Sequence, residues 1–190
     1  MKKTILAAAL AATMTAPAAF ANEYVIDTEG AHAFVQFKIS HLGYSYLLGR
    51  FNTFEGSFYY DEANPENASV NVTIDTRSVD SNHAERDRHL RSDDFLNVDE
   101  NPQATFQSTG FEPDGNGGGL LTGDFTLNGV THSIDFPITQ VGAGEDPWGE
   151  MRRGFEGTLS FTLADYDITY NLGPDAEDIE IYLSIEGIRQ

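Results

Sequence analysis

Residues 121–138 read Leu121-Thr122-Gly123-Asp124-Phe125-Thr126-Leu127-Asn128-Gly129-Val130-Thr131-His132-Ser133-Ile134-Asp135-Phe136-Pro137-Ile138. Leu121, Gly123, Phe125 and Leu127 alternate with polar residues, and Ile134, Phe136 and Ile138 do the same after Asn128-Gly129. Period-two alternation marks a strand buried on one face. Asn-Gly between two such runs favours a tight turn with positive φ, so this stretch is a hairpin. The same phase recurs in Ala33, Val35, Phe37, Ile39; in Phe54, Gly56, Phe58, Tyr60; in Val70, Val72, Ile74; and in Phe155, Gly157, Leu159, Phe161. With Tyr24–Asp27, Ala104–Ser108 and Ile179–Ile185, about eight strands in one domain predict an all-β, antiparallel barrel. That is roughly the strand number whose interior can hold one small ligand. Gly56, Gly123 and Gly157 fall in the apolar phase, where glycine marks a bend, a bulge or the close approach of another group. They leave the apolar face short of volume, which points to a barrel curled around something other than its own side chains.

The remaining elements follow from breaks in this pattern. Ala33–His41 is a strand, Leu42-Gly43 turns the chain, and Gly49–Tyr60 returns as one strand. Asn64-Pro65-Glu66-Asn67 is a turn. Ser81-Asn82 followed by Glu85 resembles a helix start, so His83–Arg91 is expected to be a short helix. Its apolar face is thin, which places it against a barrel opening with Leu90, Phe95 and Leu96 as anchors. Gly142–Arg153 reads as a long loop carrying Trp148, the single tryptophan, and Tyr166–Asp178 as an irregular connection.

Lys2 and Lys3, the apolar stretch Ile5–Ala12 and the small-x-small triplet Ala19-Phe20-Ala21 have the form of a secretory signal peptide. Residues 1–21 are therefore expected to be removed, leaving 22–190 as one domain. No later stretch is long and apolar enough to cross a bilayer, so the mature chain is expected to be soluble. It has no cysteine, and its core must suffice without disulfides. The formal charge is −19, from 30 acidic and 11 basic side chains, and loss of Lys2 and Lys3 makes the mature chain more acidic still. Such a charge argues against binding nucleic acid or an anionic membrane nonspecifically.

The sequence is sparing with catalytic signals. There is no thiol, no Gly-x-Ser-x-Gly elbow and no His-Glu-x-x-His or other tight metal spacing. No metal, cofactor or catalytic residue is expected. His41 shares the phase of Val35, Phe37 and Ile39 and should point inward near a strand end. It is either a hydrogen-bonded structural residue or a polar contact for a ligand head group. Arg86, Arg88 and Arg91 fall in the short helix, and Arg152 and Arg153 lie near Trp148. These clusters form either an anion-binding rim or ordinary surface pairs such as Asp87 with Arg91.

Phe37, His41-Leu42-Gly43, Gly49-Arg50-Phe51, Phe54 and Gly56 resemble the opening motif of the YceI-like family. Asp87-Arg88-His89-Leu90, Asp94-Phe95-Leu96, Pro102 and Phe106-Gln107-Ser108 resemble its central motif. Gly123 with Leu127-Asn128-Gly129-Val130-Thr131 resembles its hairpin motif, and Asp146-Pro147-Trp148-Gly149 and Ile185-Glu186-Gly187 follow in order. The resemblance implies a periplasmic, lipocalin-like barrel that binds a long-chain isoprenoid lipid, such as a polyprenyl lipid or an isoprenoid quinone, for carriage, storage or scavenging. It implies no enzyme activity, and it makes a homodimer an expectation. The competing readings are an enzyme acting on such a lipid and a stress-related interaction module whose lipid is incidental. The inward phases then become candidate ligand contacts: Val35, Phe37, Ile39, His41, Phe54, Phe58, Val72, Ile74, Phe106, Phe125, Leu127, Ile134, Phe136, Leu159, Phe161, Ile181 and Leu183. Trp148, Arg88 and Arg91 are candidates at the rim.

Overall fold

Alternating apolar residues give strands, and strands with one greasy face must close or stack to bury it. The computed structural model describes residues 22–173 and 175–190; the expected signal peptide lies outside the described residues. The described residues form strands β1 (Glu23–Ile26), β2 (Phe34–His41), β3 (Ser45–Phe51), β4 (Phe54–Tyr59), β5 (Ser69–Asp75), β6 (Val79–Asp80), β7 (Gln103–Pro113), β8 (Gly119–Leu127), β9 (Val130–Glu145), β10 (Met151–Thr162) and β11 (Asp178–Arg189). The helix, α1, is Ala84–Leu90. No helix of the described residues is long and apolar enough to cross a membrane.

The sheet runs β1-β4-β5-β7-β8-β9-β10-β11 and returns to β1, a closed antiparallel barrel of eight strands. β11 is long enough to serve two partners. Its Ile179–Ser184 segment pairs with β2, while Gly187–Arg189 pairs with β1. β1 and β2 are thus two halves of one stave, parted by residues 27–33. The expected single strand Gly49–Tyr60 is likewise broken at Asn52-Thr53. β3 on one side of the break pairs with β2, and β4 on the other pairs with β1 and β5. One edge of β3 is paired with β6 only at Arg50 and Phe51, which leaves an opening beside Ser45–Gly49.

Two expectations change here. The stretch Gly142–Arg153 is not a loop. β9 and β10 extend through most of it and meet in a tight turn in which Asp146 Oδ1 accepts from the N–H groups of Trp148 (2.9 Å) and Glu150 (3.0 Å). Val141-Gly142-Ala143-Gly144 lacks apolar alternation, so backbone pairing alone holds this segment and the sequence pattern hides it. The helix start also moves by one residue, from His83 to Ala84. His83 is the cap, its Nδ1 accepting from Arg86 N–H at 3.2 Å, while Asn82 takes φ +61° and Ser81 turns inward.

Aromatic clusters plug the lumen at both ends, short of the opening beside Ser45–Gly49. At the end away from α1, Tyr24 stacks on Phe58 with centroids 4.9 Å apart, and Phe155 meets Phe58 edge-on at 5.5 Å. Arg153 is buried there, its guanidinium 4.4 Å from the Tyr60 ring centre and donating to Gln140 and Glu62. At the α1 end, Tyr166 sits against Phe125 and Phe161.

A second lock lies outside the barrel wall. Arg152 donates to Asp27 (2.8 Å), Asp146 (2.6 Å), Glu150 (2.8 Å) and Glu186 (2.7 Å), tying the loop after β1 to β10, β11 and the β9–β10 turn. Burial alone would raise the carboxyls of Asp27 and Asp146. The Gly30 N–H, Arg152 and His32 outweigh it at Asp27, as do the Glu150 N–H, Arg152 and the Trp148 N–H at Asp146. Both carboxyls therefore lie below the usual carboxylate value. A carboxyl depressed in the folded state stabilises it above the unfolded pKa, and that contribution is lost as pH falls through the folded value. Thermal unfolding followed from pH 6 to pH 2.5 should accordingly show a falling midpoint below about pH 4. Arg152→Ala should lower the midpoint at pH 6 and flatten this acid dependence.

Candidate functional site: an apolar lumen with a polar mouth

A cavity of about 410 Å³ runs between the two plugs, from His41, Arg86 and Leu172 at one end to Tyr60, Phe111 and Phe155 at the other. This volume is within the roughly 300–1,000 Å³ of small-molecule sites. Apart from His41, Arg86 and His89 at the mouth, and Ser69, Tyr59, Tyr60 and Glu156 along the wall, the lining is apolar. Its shape reflects what the glycines permit. Phe37 faces Gly49 directly across β2 and β3, and a Cβ at Gly49 would collide with the Phe37 ring. Phe106 lies over Gly123 in the same manner. The two rings lie back against the wall instead of standing into the lumen. Gly56 is backed by the β5 backbone and Ile26 and is absent from the lining, whereas Gly157 lines the cavity. Of the three glycines in the apolar phase, two receive neighbours and one forms wall.

The structure places most inward-phase residues on this wall: Val35, Phe37, Ile39 and His41 from β2, Phe58 from β4, Val72 and Ile74 from β5, and Phe106 from β7. From the later strands come Phe125 and Leu127 of β8, Ile134 and Phe136 of β9, Leu159 and Phe161 of β10, and Ile181 and Leu183 of β11. Four candidates do not reach it. Phe54 is buried but lies off the lumen, where β4 begins after the break in the stave. Trp148 stands 82% exposed on the β9–β10 turn, at the opposite end from the mouth. Arg88 points outward and pairs with Glu85 at 3.2 Å. Arg91 donates to the carbonyls of Arg77 and Val79, fastening α1 to β6.

The helix presents a different arginine. Arg86, His89 and Leu90 share the face that lines the cavity, as residues three and four apart on a helix must. Leu90 as anchor would have identified Arg86 from the sequence, because Arg88 is out of phase with it. Arg86 is held by Ser81: its Nε donates to Ser81 Oγ (2.7 Å) and Nη2 to the Ser81 carbonyl (2.6 Å). Ser81 in turn donates from N and Oγ to the buried Asp87 carboxylate, at 2.8 and 2.5 Å. His89 Nε2 is 2.9 Å from Asp94 Oδ2, with its ring edge against Phe95 and Tyr170. The His41 side chain makes no hydrogen bond among the described residues and faces the mouth as an available polar group.

A cation site is the other arrangement to weigh. Asp27, His32 and Glu186 bring ligand atoms within 4.8 Å of one another. The Arg152 Nη1 already donates to both carboxylates, so a guanidinium fills the place a metal would take and the cluster reads as a structural lock.

Comparison with known proteins agrees with this architecture. The YceI-like domain matches residues 24–187. A UPF0312 protein of Shewanella sp. (strain ANA-3) and one of Pseudomonas aeruginosa (strain LESB58) are each 54% identical over 191 residues, covering 100% of both chains. Among solved structures, the Campylobacter jejuni YceI protein superposes with a TM-score of 0.71 at 28% identity, over 80% of this chain and 91% of that one. Burkholderia cenocepacia BcnA gives 0.75 at 22% identity, over 85% and 98% of the two chains. A polyisoprenoid-binding domain from Saccharophagus degradans gives 0.64 at 16% identity, over 88% and 98%. The last two likenesses speak to the fold alone.

Proposed function

The chain belongs to the YceI-like family, and from that membership and its apolar lumen we propose that it holds a long-chain isoprenoid lipid in the barrel. The observation that carries the reading is a greasy cavity running between the two plugs, with its cationic groups gathered at one end. Such a site suits a long apolar tail with a polar head. Burial is worth roughly 0.8 kcal/mol per methylene, so about ten methylenes supply on the order of 8 kcal/mol before ordering costs. The tail lies along the inward faces of β2, β5, β8, β10 and β11, and the head rests at the mouth near His41 and Arg86. Residues 1–21 act as a leader for export, residues 22–190 form the carrier, and it works in the periplasm, where an insoluble lipid needs cover between two membranes. The polyisoprenoid-binding domain of Saccharophagus degradans shares this fold, so a barrel of this architecture is compatible with that ligand class.

Protein purified without detergent should carry an extractable long-chain lipid, seen in native mass spectrometry as a discrete added mass. A single apo mass, unchanged when octaprenyl lipid is supplied, would sink the proposal. Arg86→Ala should leave tail binding intact while weakening retention of lipids with a polar head about tenfold, the loss of one charge-assisted contact.

A further inference from the structure

The acids of this chain are spread almost everywhere, 30 among 190 residues, yet none occurs from Gly30 through Phe54. The next longest acid-free stretch of the described chain, Asn101 through Phe111, is less than half as long. The longer one contains β2, β3 and their turn, with Lys38 and Arg50 as its charged residues. It is also where large apolar and aromatic side chains stand free: Tyr44 is 88% exposed, Tyr46 67% and Leu48 66%. Lys38 Nζ lies 4.6 Å above the Tyr46 ring and 3.3 Å from Glu180 Oε1 of β11, so its charge is already paired and the exposed aromatic and apolar side chains are what the hairpin offers. The same hairpin forms one lip of the lumen, since His41 and Leu47 line it.

We propose that the β2–β3 hairpin docks on the headgroup layer of a lipid bilayer, bringing the mouth of the lumen to the membrane where cargo enters or leaves. The proposal rests on the lipid-carrier reading and adds its partner surface. Tyrosine suits an interface because its ring is apolar and its hydroxyl stays wet. Backbone groups entering a headgroup layer must be satisfied, and the turn meets this locally: the Gly43 N–H donates to Ser40 Oγ at 3.2 Å and the Tyr44 N–H to the His41 carbonyl at 3.0 Å. Charge selects the orientation. Glu180 offsets Lys38, Asp80 lies opposite Arg50 and Asp175 stands by the Gly43 turn, so the hairpin is not basic. Its exposed tyrosines and Leu48 still carry less net charge than the acidic remainder, and an anionic leaflet repels this approach least. Trp148 is equally exposed on the opposite tip, but Glu145, Asp146 and Glu150 surround it in sequence.

The test is co-sedimentation with vesicles of phosphatidylethanolamine and phosphatidylglycerol, 3:1, using the full mature chain. Wild type should partition onto the vesicles. A Tyr44→Glu, Leu48→Glu double variant should lose at least tenfold in partition, with its circular dichroism and its native-mass cargo unchanged. Trp148→Glu should bind as wild type does. Equal partition of wild type and the hairpin variant, or no binding by either, overturns the proposal. If wild type ignores vesicles but is a dimer that the hairpin variant splits, the surface belongs to a second copy and the proposal is again overturned. Vesicle binding without any bound lipid would uphold the docking surface while removing the carrier reading, so the two fail separately.

Discussion

Replacing Val72 and Leu159 together by tryptophan is expected to empty the protein of lipid while leaving it folded. Both side chains line the cavity from strands on different sides of the barrel, and both are only partly buried because they border empty space. Two indoles would enter the lumen with little need to displace neighbouring protein atoms. If they deny a bound tail about four methylenes, the loss is near 3 kcal/mol, or roughly 200-fold in affinity. The thermal midpoint should hold or rise, since filled space adds contacts. Lipid extraction and calorimetry on the same sample decide the matter, and full cargo in a folded double variant would show that the tail lies elsewhere. Gly123→Leu would not serve, although its position in the inward phase invites it. A Cβ there meets the Phe106 ring and the Gln107 carbonyl, so the substitution attacks the wall before it narrows the lumen.

The largest effect on stability is expected at Tyr166. Its side chain is 1% exposed and has ring contacts with Phe125 at 5.4 Å, Phe161 at 4.9 Å and His132 at 5.1 Å. Tyr166→Ala should cost about 3–5 kcal/mol, as for other large aromatic truncations in cores. The hydroxyl tells a different story. It is buried with no hydrogen-bond partner among the described residues, and burial, with the Asp165 charge second, pushes the phenol pKa up. An unsatisfied buried hydroxyl opposes folding. Tyr166→Phe should therefore be neutral or stabilise by about 1 kcal/mol. Urea titrations of the two variants separate ring from hydroxyl. A Tyr166→Phe protein weakened by more than about 1 kcal/mol would mean that the hydroxyl has a partner in solution.

The strands were legible in the sequence because period-two alternation survives wherever one face meets a lumen and the other meets water. Val35, Phe37 and Ile39 are inward for that reason, and so are Leu121, Phe125 and Leu127. Legibility stopped where backbone pairing replaces side-chain pattern, as in Val141–Glu145, and where a stave breaks at a lone Asn with no Gly or Pro beside it, as at Asn52-Thr53. The mouth was harder to read. Choosing among Arg86, Arg88 and Arg91 needs the helix phase, and that phase depends on a cap formed by His83, a residue outside the usual capping set. Whether an inward glycine makes wall or makes room for a ring cannot be settled along one strand, because it depends on the residue across from it, as Phe37 does for Gly49.

The seam of the barrel joins the two ends of the domain. Tyr24 pairs with Arg189 and Ile26 with Gly187, while Ile179–Ser184 zips onto β2. These contacts span nearly the whole chain, the kind of long-range pairing that slows folding. A nascent polypeptide therefore has no enclosed lumen, however much of it has emerged. A molecule that the lumen is to hold can enter only after the final strand arrives, so binding there is an event in the life of the finished protein and not a step in its synthesis.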